Sequence, residues 1–391
     1  MTHTLPVGIH DLSFATTHYA LDHAVLAERL GVDRDKFYLG IGQEKMSVAA
    51  ADEDIVTIAA AAAAPILERH GTDNIRTVLL ATETGVDQSK AAALYLHSLI
   101  GLPNAARVVE LKQACYGGTA GLQFAAGLIA RDPAQRVLVI AADIAKYDLD
   151  SPGEPTQGAA AVAMLVTANP AILQLDPQSG LYSADIMDFW RPNYRSAAIV
   201  DGKTSVNAYQ KAAQEAWTDY RRQGGRDLGE FAAFCYHQPF TKMAYKAHRH
   251  LLESQGHTAD AAAIEAAIGD TTRYNRTVGN SYTASLYLGL AALLDHAGDL
   301  TDRALAMISY GSGSVAEFFS GTVQPGYREH LRTAANRAAI DSRELIGYEH
   351  YRQLHEAGSP SDGAYHAMAE ETRRPYRLAA VSGHKRIYEA R

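Results

Sequence analysis

The sequence predicts an α/β fold, a mixed or mostly parallel sheet sandwiched between helices, and three observations carry that prediction. Between residues 53 and 145, stretches with helical apolar spacing alternate with apolar runs of strand length. One of those runs, QRVLVIAADIA at 135–145, is so apolar that it reads as a strand buried on both faces. The second half of the chain then repeats the order of the first.

The elements follow in order. EDIVTIAAAAAAPILERHG reads as a helix with Asp52 or Asp54 near its start and Gly71 as its stop. IRTVLLATETG is an apolar strand running out at Glu83, SKAAALYLHSLIG is helical, and ARVVELKQA is extended. CYGGTAGLQFAAGLIA is helical and leads into the buried strand RVLVIAAD. Its counterpart is GNSYTASLYLGLAALLD followed by RALAMISYGSG, which sets Cys115 opposite Asn280. Two similar halves would then meet at one site built from both. From about residue 326 the chain is more charged and less apolar, as expected of peripheral helices, with RLAAVSGHKRIY as a final strand or hairpin.

Composition bounds the function. With 391 residues, 47% hydrophobic and 20% charged, the chain has ordinary globular usage and can bury a large core. A formal net charge of −8 argues against a nucleic-acid or anionic-membrane partner, so an anionic ligand must meet a local basic patch. The opening MTHTLPVGIHDLSF has no basic segment followed by an apolar one, and the alanine run near 58–64 is too short to span a bilayer, so a cytoplasmic protein is expected. Cys115 and Cys235, the 2 cysteines, lie far apart with no CxxC, which argues against a disulfide framework or a thiolate metal site. No metal-ligand cluster or dinucleotide glycine fingerprint is visible either, and no metal or redox cofactor is expected.

Three residues stand where strands end. Cys115, at the first turn of a helix, would meet unpaired N–H groups that favour a thiolate, and Gly117 and Gly118 beside it leave room for an acyl ligand. The alternative is a small buried hydrophobe. Glu83 closes its strand in the same way, and partial desolvation there would raise its pKa and suit it as a general base; capping is the alternative. His237 follows an apolar run and precedes Pro239, which places it at the mouth of the sheet. In the helix beyond it, Phe240, Met243, Ala247 and Leu251 share one face, while Lys242, Lys246 and Arg249 form a basic stripe on another. That stripe is either a phosphate contact or a solvated face.

Seven segments in order, ATETG, KQACYGGTAG, GEPTQGAAAVAM, MDFWRP, FCYHQPFTKM, YNRTVGNSYTASLYL and SYGSGSVAEFFSG, resemble the bacterial 3-hydroxy-3-methylglutaryl-CoA synthase family of the thiolase superfamily. The resemblance runs over about residues 5–325 and implies the duplicated five-layer αβαβα fold and a homodimer. It implies an N-terminal half at 1–166, with Glu83 and Cys115, and a C-terminal half at 167–391 with peripheral helices, carrying His237, Asn280 and Ser312. Glu83, Cys115 and His237 match the family's catalytic glutamate, cysteine and histidine. Asp143, Tyr147, Asp188, Asn280 and Ser312 match its pocket, and Thr156, Ser205, Lys242, Lys246 and Asp33 match positions that contact the acyl-CoA. The substrates implied are acetyl-CoA and acetoacetyl-CoA, in the mevalonate pathway of isoprenoid biosynthesis. The start of the helix at Cys115 and the Ser312–Gly313 turn are the expected backbone donors to the thioester oxygen.

One departure keeps the acceptor open. Many bacterial members carry an acidic residue where this chain has Gln113, and KQACY also occurs in relatives that add acetate branches to polyketides on acyl carrier proteins. EPTQGAAAVAM and PFTKM lean toward the CoA-dependent enzyme. A Cys-His-Asn ketosynthase fits Cys115, His237 and Asn280 but leaves Glu83 without a role. A thiolase would need a second cysteine near YGSGS, which has none, and a binding protein that had lost catalysis should have lost one of the three catalytic matches.

Overall fold

The computed structural model describes residues 5–391. Nine strands form the main sheet: β1 (Val7–Thr16), β2 (Ile75–Ala81), β3 (Arg107–Leu111), β4 (Arg136–Ile144), β5 (Ala159–Ala168), β6 (Leu173–Ser183), β7 (Phe231–Tyr236), β8 (Ala304–Gly311) and β9 (Val315–Val323). In space they run β7-β8-β9-β6-β1-β5-β4-β2-β3. Among the helices that pack on it are α1 (Ile55–His70), α2 (Ala92–Leu99), α3 (Gly117–Arg131), α4 (Gly202–Arg222), α5 (Thr241–Ser254) and α6 (Ser285–His296).

The duplication is visible in the pairing. In the first half β2 and β4 are parallel, β4 and β5 antiparallel, and β5 and β1 antiparallel. The second half repeats this with β7, β8, β9 and β6. Among the described residues the two sets of strands, each a sheet in its own layer, are joined at two paired positions, Gly8 with Gln174 and Ile9 with Leu173. β3 extends the first sheet beyond β2, at the outer edge of the order. The division between halves falls between Ala168, where β5 ends, and Leu173, where β6 begins.

Side-chain alternation builds the layers. Along β4, Val137, Val139 and Ala141 join a core with α3 and α6, while Leu138, Ile140 and Ala142 join one with α1 and α2. On β8, Leu305 and Met307 face the same inner helices, and Ala304, Ala306 and Ile308 face α4 and α5. The order is therefore outer helices, first sheet, α3 with α6, second sheet, outer helices: five layers, as the resemblance implies.

Local signals explain the boundaries. Asp54 caps α1 by accepting from the Val56 and Thr57 N–H groups, and Gly71 ends it at a φ of 64°. Asp52, the other candidate cap, instead pairs with Arg377 at 3.0 Å. The last strands, Tyr376–Ser382 and Lys385–Ala390, form the expected hairpin. They pack on the first half: Arg386 meets Asp54 at 3.0 Å, and Ile346, Tyr348 and Tyr351 share a core with Tyr19, Leu21 and Leu26. The tail expected with the C-terminal half therefore covers the N-terminal one, drawn by the carboxylates at the start of α1 and an apolar patch beside it. Among the described residues no helix is long and apolar enough to cross a membrane.

Candidate active site

Segments that follow β3 and β4 converge with those that follow β7 and β8 on a cavity of about 430 Å³. Cys115, Tyr147 and Thr156 line it from the first half; Ser205, His237, Asn280 and Ser312 line it from the second.

Asp143, one residue before the end of β4, organises the first-half side. It is fully buried, and its Oδ1 accepts from Thr82 Oγ1 (2.8 Å), Glu83 N (2.9 Å), Thr84 N (3.0 Å) and Thr84 Oγ1 (2.6 Å). Its Oδ2 accepts from Thr283 N (3.1 Å) and Thr283 Oγ1, just beyond Asn280 in the second half. Asp143 does not line the cavity: both oxygens hold backbone turns from the two halves in place.

The turn so fixed aims Glu83 at Cys115, whose Sγ donates to Glu83 Oε1 at 3.1 Å. Burial, helped by the charge of Asp143, pushes the Glu83 carboxyl up to about 8. The sequence expectation of a desolvated carboxylate holds. The expected thiolate does not. Cys115 lies two residues before α3, in a turn with Ala114 at a φ of 42°. Burial and then Glu83, with Asp143 and Asp188 adding, push its thiol well above the usual cysteine range. Desolvation and negative neighbours outweigh the helix terminus. Gly117 and Gly118 serve packing rather than ligand access: a Cβ on Gly118 would stand 3.0 Å from Thr283 O and 3.2 Å from Ala141 Cβ.

His237 immediately follows β7. Its N–H donates to Ile308 O (2.9 Å), and its carbonyl accepts from Tyr209 Oη (2.8 Å). The ring is 2% exposed, Nδ1 has no hydrogen-bond partner, and burial lowers the imidazole to about 3, so it is neutral. Pro239 stands two residues before α5 rather than at its first position.

The other expected residues sort into walls and supports. Asn280 Oδ1 accepts from Tyr282 N (2.9 Å), leaving the amide NH₂ as the free end of the side chain. Tyr147 packs near Phe189 and Tyr282 in the cavity wall. Asp188 is fully buried behind the wall, accepting from Tyr310 Oη (2.7 Å) and from Gly313 N (2.9 Å). The Gly313 N–H is thus engaged by Asp188 and is not a free donor for an oxyanion. Gln113, the departure from the bacterial pattern, joins the halves: its Nε2 donates to Ser312 O at 3.2 Å. Lys242 and Lys246 do not line this cavity. They line a second one of about 430 Å³ with Arg249 and Tyr245, on the solvent side of α5, and Lys246 Nζ lies 5.3 Å from the Phe240 ring of the main cavity. Asp33 is exposed and accepts from Asp35 N (2.9 Å), shortly before the turn at Lys36–Ile41 whose Leu39 and Gly40 line that second cavity. Tyr209, Tyr282 and Tyr310 also line the main cavity, and no spacing in the sequence marks them.

The model of the family described as hydroxymethylglutaryl-coenzyme A synthase N terminal matches residues 4–171, and the C-terminal model matches 173–268 and 252–356. The chain belongs to the hydroxymethylglutaryl-CoA synthase family. It is 43% identical to the hydroxymethylglutaryl-CoA synthase of Enterococcus faecalis over 90% of this chain and 91% of that one. It is 33% identical to the polyketide biosynthesis 3-hydroxy-3-methylglutaryl-ACP synthase of Bacillus subtilis strain 168, over 87% of this chain and 86% of that one. Its structure superposes on an HMG-CoA synthase complexed with CoA at a TM-score of 0.93 and 38% identity, covering 99% of this chain and 100% of that one. A structure bound to 3-hydroxy-3-methylglutaryl coenzyme A superposes at 0.92 and 36% identity, covering 99% of each chain. Like the other members of this synthase family, the chain is an acyl-transferring enzyme.

Proposed function

We propose that the chain condenses acetyl-CoA with acetoacetyl-CoA and water to HMG-CoA and free CoA, through an acetyl group on Cys115. The observation that carries this reading is the Cys115 Sγ–Glu83 Oε1 hydrogen bond of 3.1 Å, made by a cysteine that lines one cavity with a neutral His237 from the other half. As Cys115 attacks the thioester of acetyl-CoA, its proton passes to Glu83 and on to the departing sulfur, so that CoA leaves as the thiol and Glu83 is again ionised. Glu83 then takes a proton from the acetyl methyl group. The resulting carbon nucleophile attacks the ketone of acetoacetyl-CoA, which His237 holds by hydrogen bonding, and the new alkoxide takes up a proton. Water cleaves the Cys115 thioester, releasing HMG-CoA and restoring the thiol. Asn280, which lines the same cavity as Cys115, has an NH₂ suited to a developing oxyanion, and the steps call for no metal or redox cofactor.

Lys242, Lys246 and Arg249 beside the cavity suit the nucleotide phosphates of CoA, which supports a CoA-bound acceptor over a carrier protein. The 33% identity to an ACP synthase keeps the carrier-protein acceptor as the second reading. A homodimer is supported by β3, whose outer edge has no strand beside it among the described residues. Action in the cytoplasm, in the mevalonate pathway of isoprenoid biosynthesis, completes the reading. The test is incubation with both thioesters, following loss of the acetoacetyl-CoA enolate absorbance and identifying the product by mass. Formation of HMG-CoA supports the reading; an acyl-carrier acceptor preferred by a large factor in kcat/KM overturns it.

A further inference from the structure

Glu317 takes no part in the steps above, yet it is a buried acid hydrogen-bonded to Tyr116, the residue next to the nucleophile. It is the third residue of β9, 1% exposed. Its β9 neighbours Ala316 and Phe318 face the outer helices, so Glu317 points the other way, into the layer of α3 and α6. There Oε2 accepts from Tyr116 Oη at 2.8 Å and Oε1 accepts from Gln123 Nε2 at 2.7 Å. Tyr116 directly follows Cys115 in the chain, and Gln123 stands two turns further along the same helix face. One carboxylate from the second half thus grips the start of the helix that carries the nucleophile of the first.

The backbone between them is tight. Tyr116 N donates to Gln113 O at 3.1 Å and Gly117 N to Ala114 O at 3.3 Å, around the left-handed Ala114. Strand β8 closes on this turn at Gly311, where a Cβ would stand 2.5 Å from Gln113 O and 2.7 Å from Tyr116 N. The Cys115 turn therefore has little freedom of its own, and a shift of the Tyr116 ring is passed to Sγ. We propose that Glu317 is a positioning residue that acts through Tyr116, setting where Cys115 Sγ stands relative to Glu83 and the incoming thioester.

The inference rests on Cys115 being the acylated residue. Burial pushes the Glu317 carboxyl up to about 7, against hydrogen bonds from Tyr116, Ser179 and Gln123. The titratable groups facing it are Tyr116 at the start of α3 and Tyr287 on α6, both with hydroxyls raised by burial. A change of charge on Glu317 near neutral pH changes how firmly Tyr116 is held, because an ionised acceptor makes the stronger bond.

The experiment is acetylation of Cys115 by acetyl-CoA alone, followed by intact mass from pH 5.5 to 9 in wild type, Glu317→Gln, Tyr116→Phe and the double variant. Glu317→Gln keeps the volume and an acceptor for Tyr116, and its melting temperature reports folding. A misplaced nucleophile of the order of 1 Å costs about 10²-fold, so Glu317→Gln is expected to slow acetylation by roughly fivefold to a hundredfold, with KM for acetyl-CoA within about twofold. Its rate should fall less steeply with acid below pH 7 than the wild-type rate. Tyr116→Phe should give the same loss, and the double variant no more than either single one. Equal rates and pH profiles for wild type and Glu317→Gln, or losses that multiply in the double variant, overturn the proposal. Absence of any adduct on wild-type Cys115 instead overturns the covalent reading on which it rests.

Discussion

Replacing Asp143 by alanine tests whether this one carboxylate holds the two halves of the site in register. Its six acceptor contacts come from three hydroxyl donors and three backbone N–H groups. The hydroxyls can turn elsewhere: Thr82 and Thr84 lie 3.4 Å apart, and Thr283 Oγ1 is 3.3 Å from Ala81 O. The N–H groups of Glu83 and Thr283 cannot, whereas that of Thr84 also donates to Thr82 Oγ1 at 3.1 Å. Each buried donor left unpaired costs about 1–3 kcal/mol, so with two such donors Asp143→Ala is expected to lose on the order of 2–6 kcal/mol, a large part of the roughly 5–15 kcal/mol that holds a typical domain. Asp143→Asn keeps one oxygen for the Thr82–Thr84 turn and presents NH₂ to Thr283, leaving one N–H unpaired at a cost of about 1–3 kcal/mol. Urea unfolding of both variants, with Cys115 acetylation measured on the folded fraction, gives the order wild type, Asn, Ala. An Asp143→Ala protein within about 1 kcal/mol of wild type would show that the contacts seen here do not hold the site together.

Glu83, with its carboxyl at about 8 against an ordinary 4.5, binds a proton in the folded protein over a range where the unfolded chain has released it. Stability therefore falls as pH rises through that window, and Glu83→Gln should gain melting temperature relative to wild type more at pH 9 than at pH 5. The condensation rate should climb with pH toward about 8 as Glu83 becomes free to accept a proton; a rate flat from pH 6 to 9 contradicts its assignment as base. Glu83→Gln should lower turnover by about 10²–10⁴-fold, with acetylation of Cys115 slowed less than the condensation that follows it. Lys246→Ala should raise KM for acetoacetyl-CoA severalfold with kcat nearly unchanged, and the effect should fade with salt; a loss confined to kcat would remove Lys246 from the binding surface. Gly279→Ala should yield little folded protein, since φ is 86° and the added carbon would lie 1.9 Å from Gln157 O, and a normal expression level and melting curve would contradict that.

The layers were legible wherever both faces of a strand are apolar, as in β4, and wherever a cap follows the rules, as at Asp54. β1 was not legible, although it lies in the middle of the sheet. His10 and Asp11 interrupt its apolar run, and the register shifts between Ile9 and Asp11. Asp11 is tolerated there because Arg332 (2.6 Å), His70 (2.9 Å) and Arg69 (3.2 Å) converge on it, partners spread over more than 300 residues that no local window can see. β6, with Asp176 and Pro177 inside it, hid for a similar reason: Arg226 reaches Asp176 at 2.9 Å from the loop that follows α4. At the site, Glu83, Cys115 and His237 announce themselves because each follows a readable strand. Asp143 sits inside one and looks like pocket lining, although what it does depends on Thr84 and Thr283 arriving from two directions.

The charge around Cys115 explains why the expected thiolate is not the resting state. A helix start lowers a thiol's pKa only where the charge is not also being taken out of water. Here the thiol is buried, and Glu83, Asp143 and Asp188 all work against a second negative charge. Glu83, raised to about 8, is for the same reason a ready acceptor of the proton that Cys115 must give up. The pair is therefore arranged to move one proton between its members as the thioester arrives, rather than to store a free thiolate. Such a site holds its nucleophile in a form that reacts poorly with passing electrophiles and becomes reactive when a bound acyl group gives the sulfur somewhere to place its charge. His237 completes the arrangement from the other half: buried and neutral down to about 3, it adds hydrogen bonding at the acceptor ketone without adding a positive charge that would draw the proton balance away from Glu83.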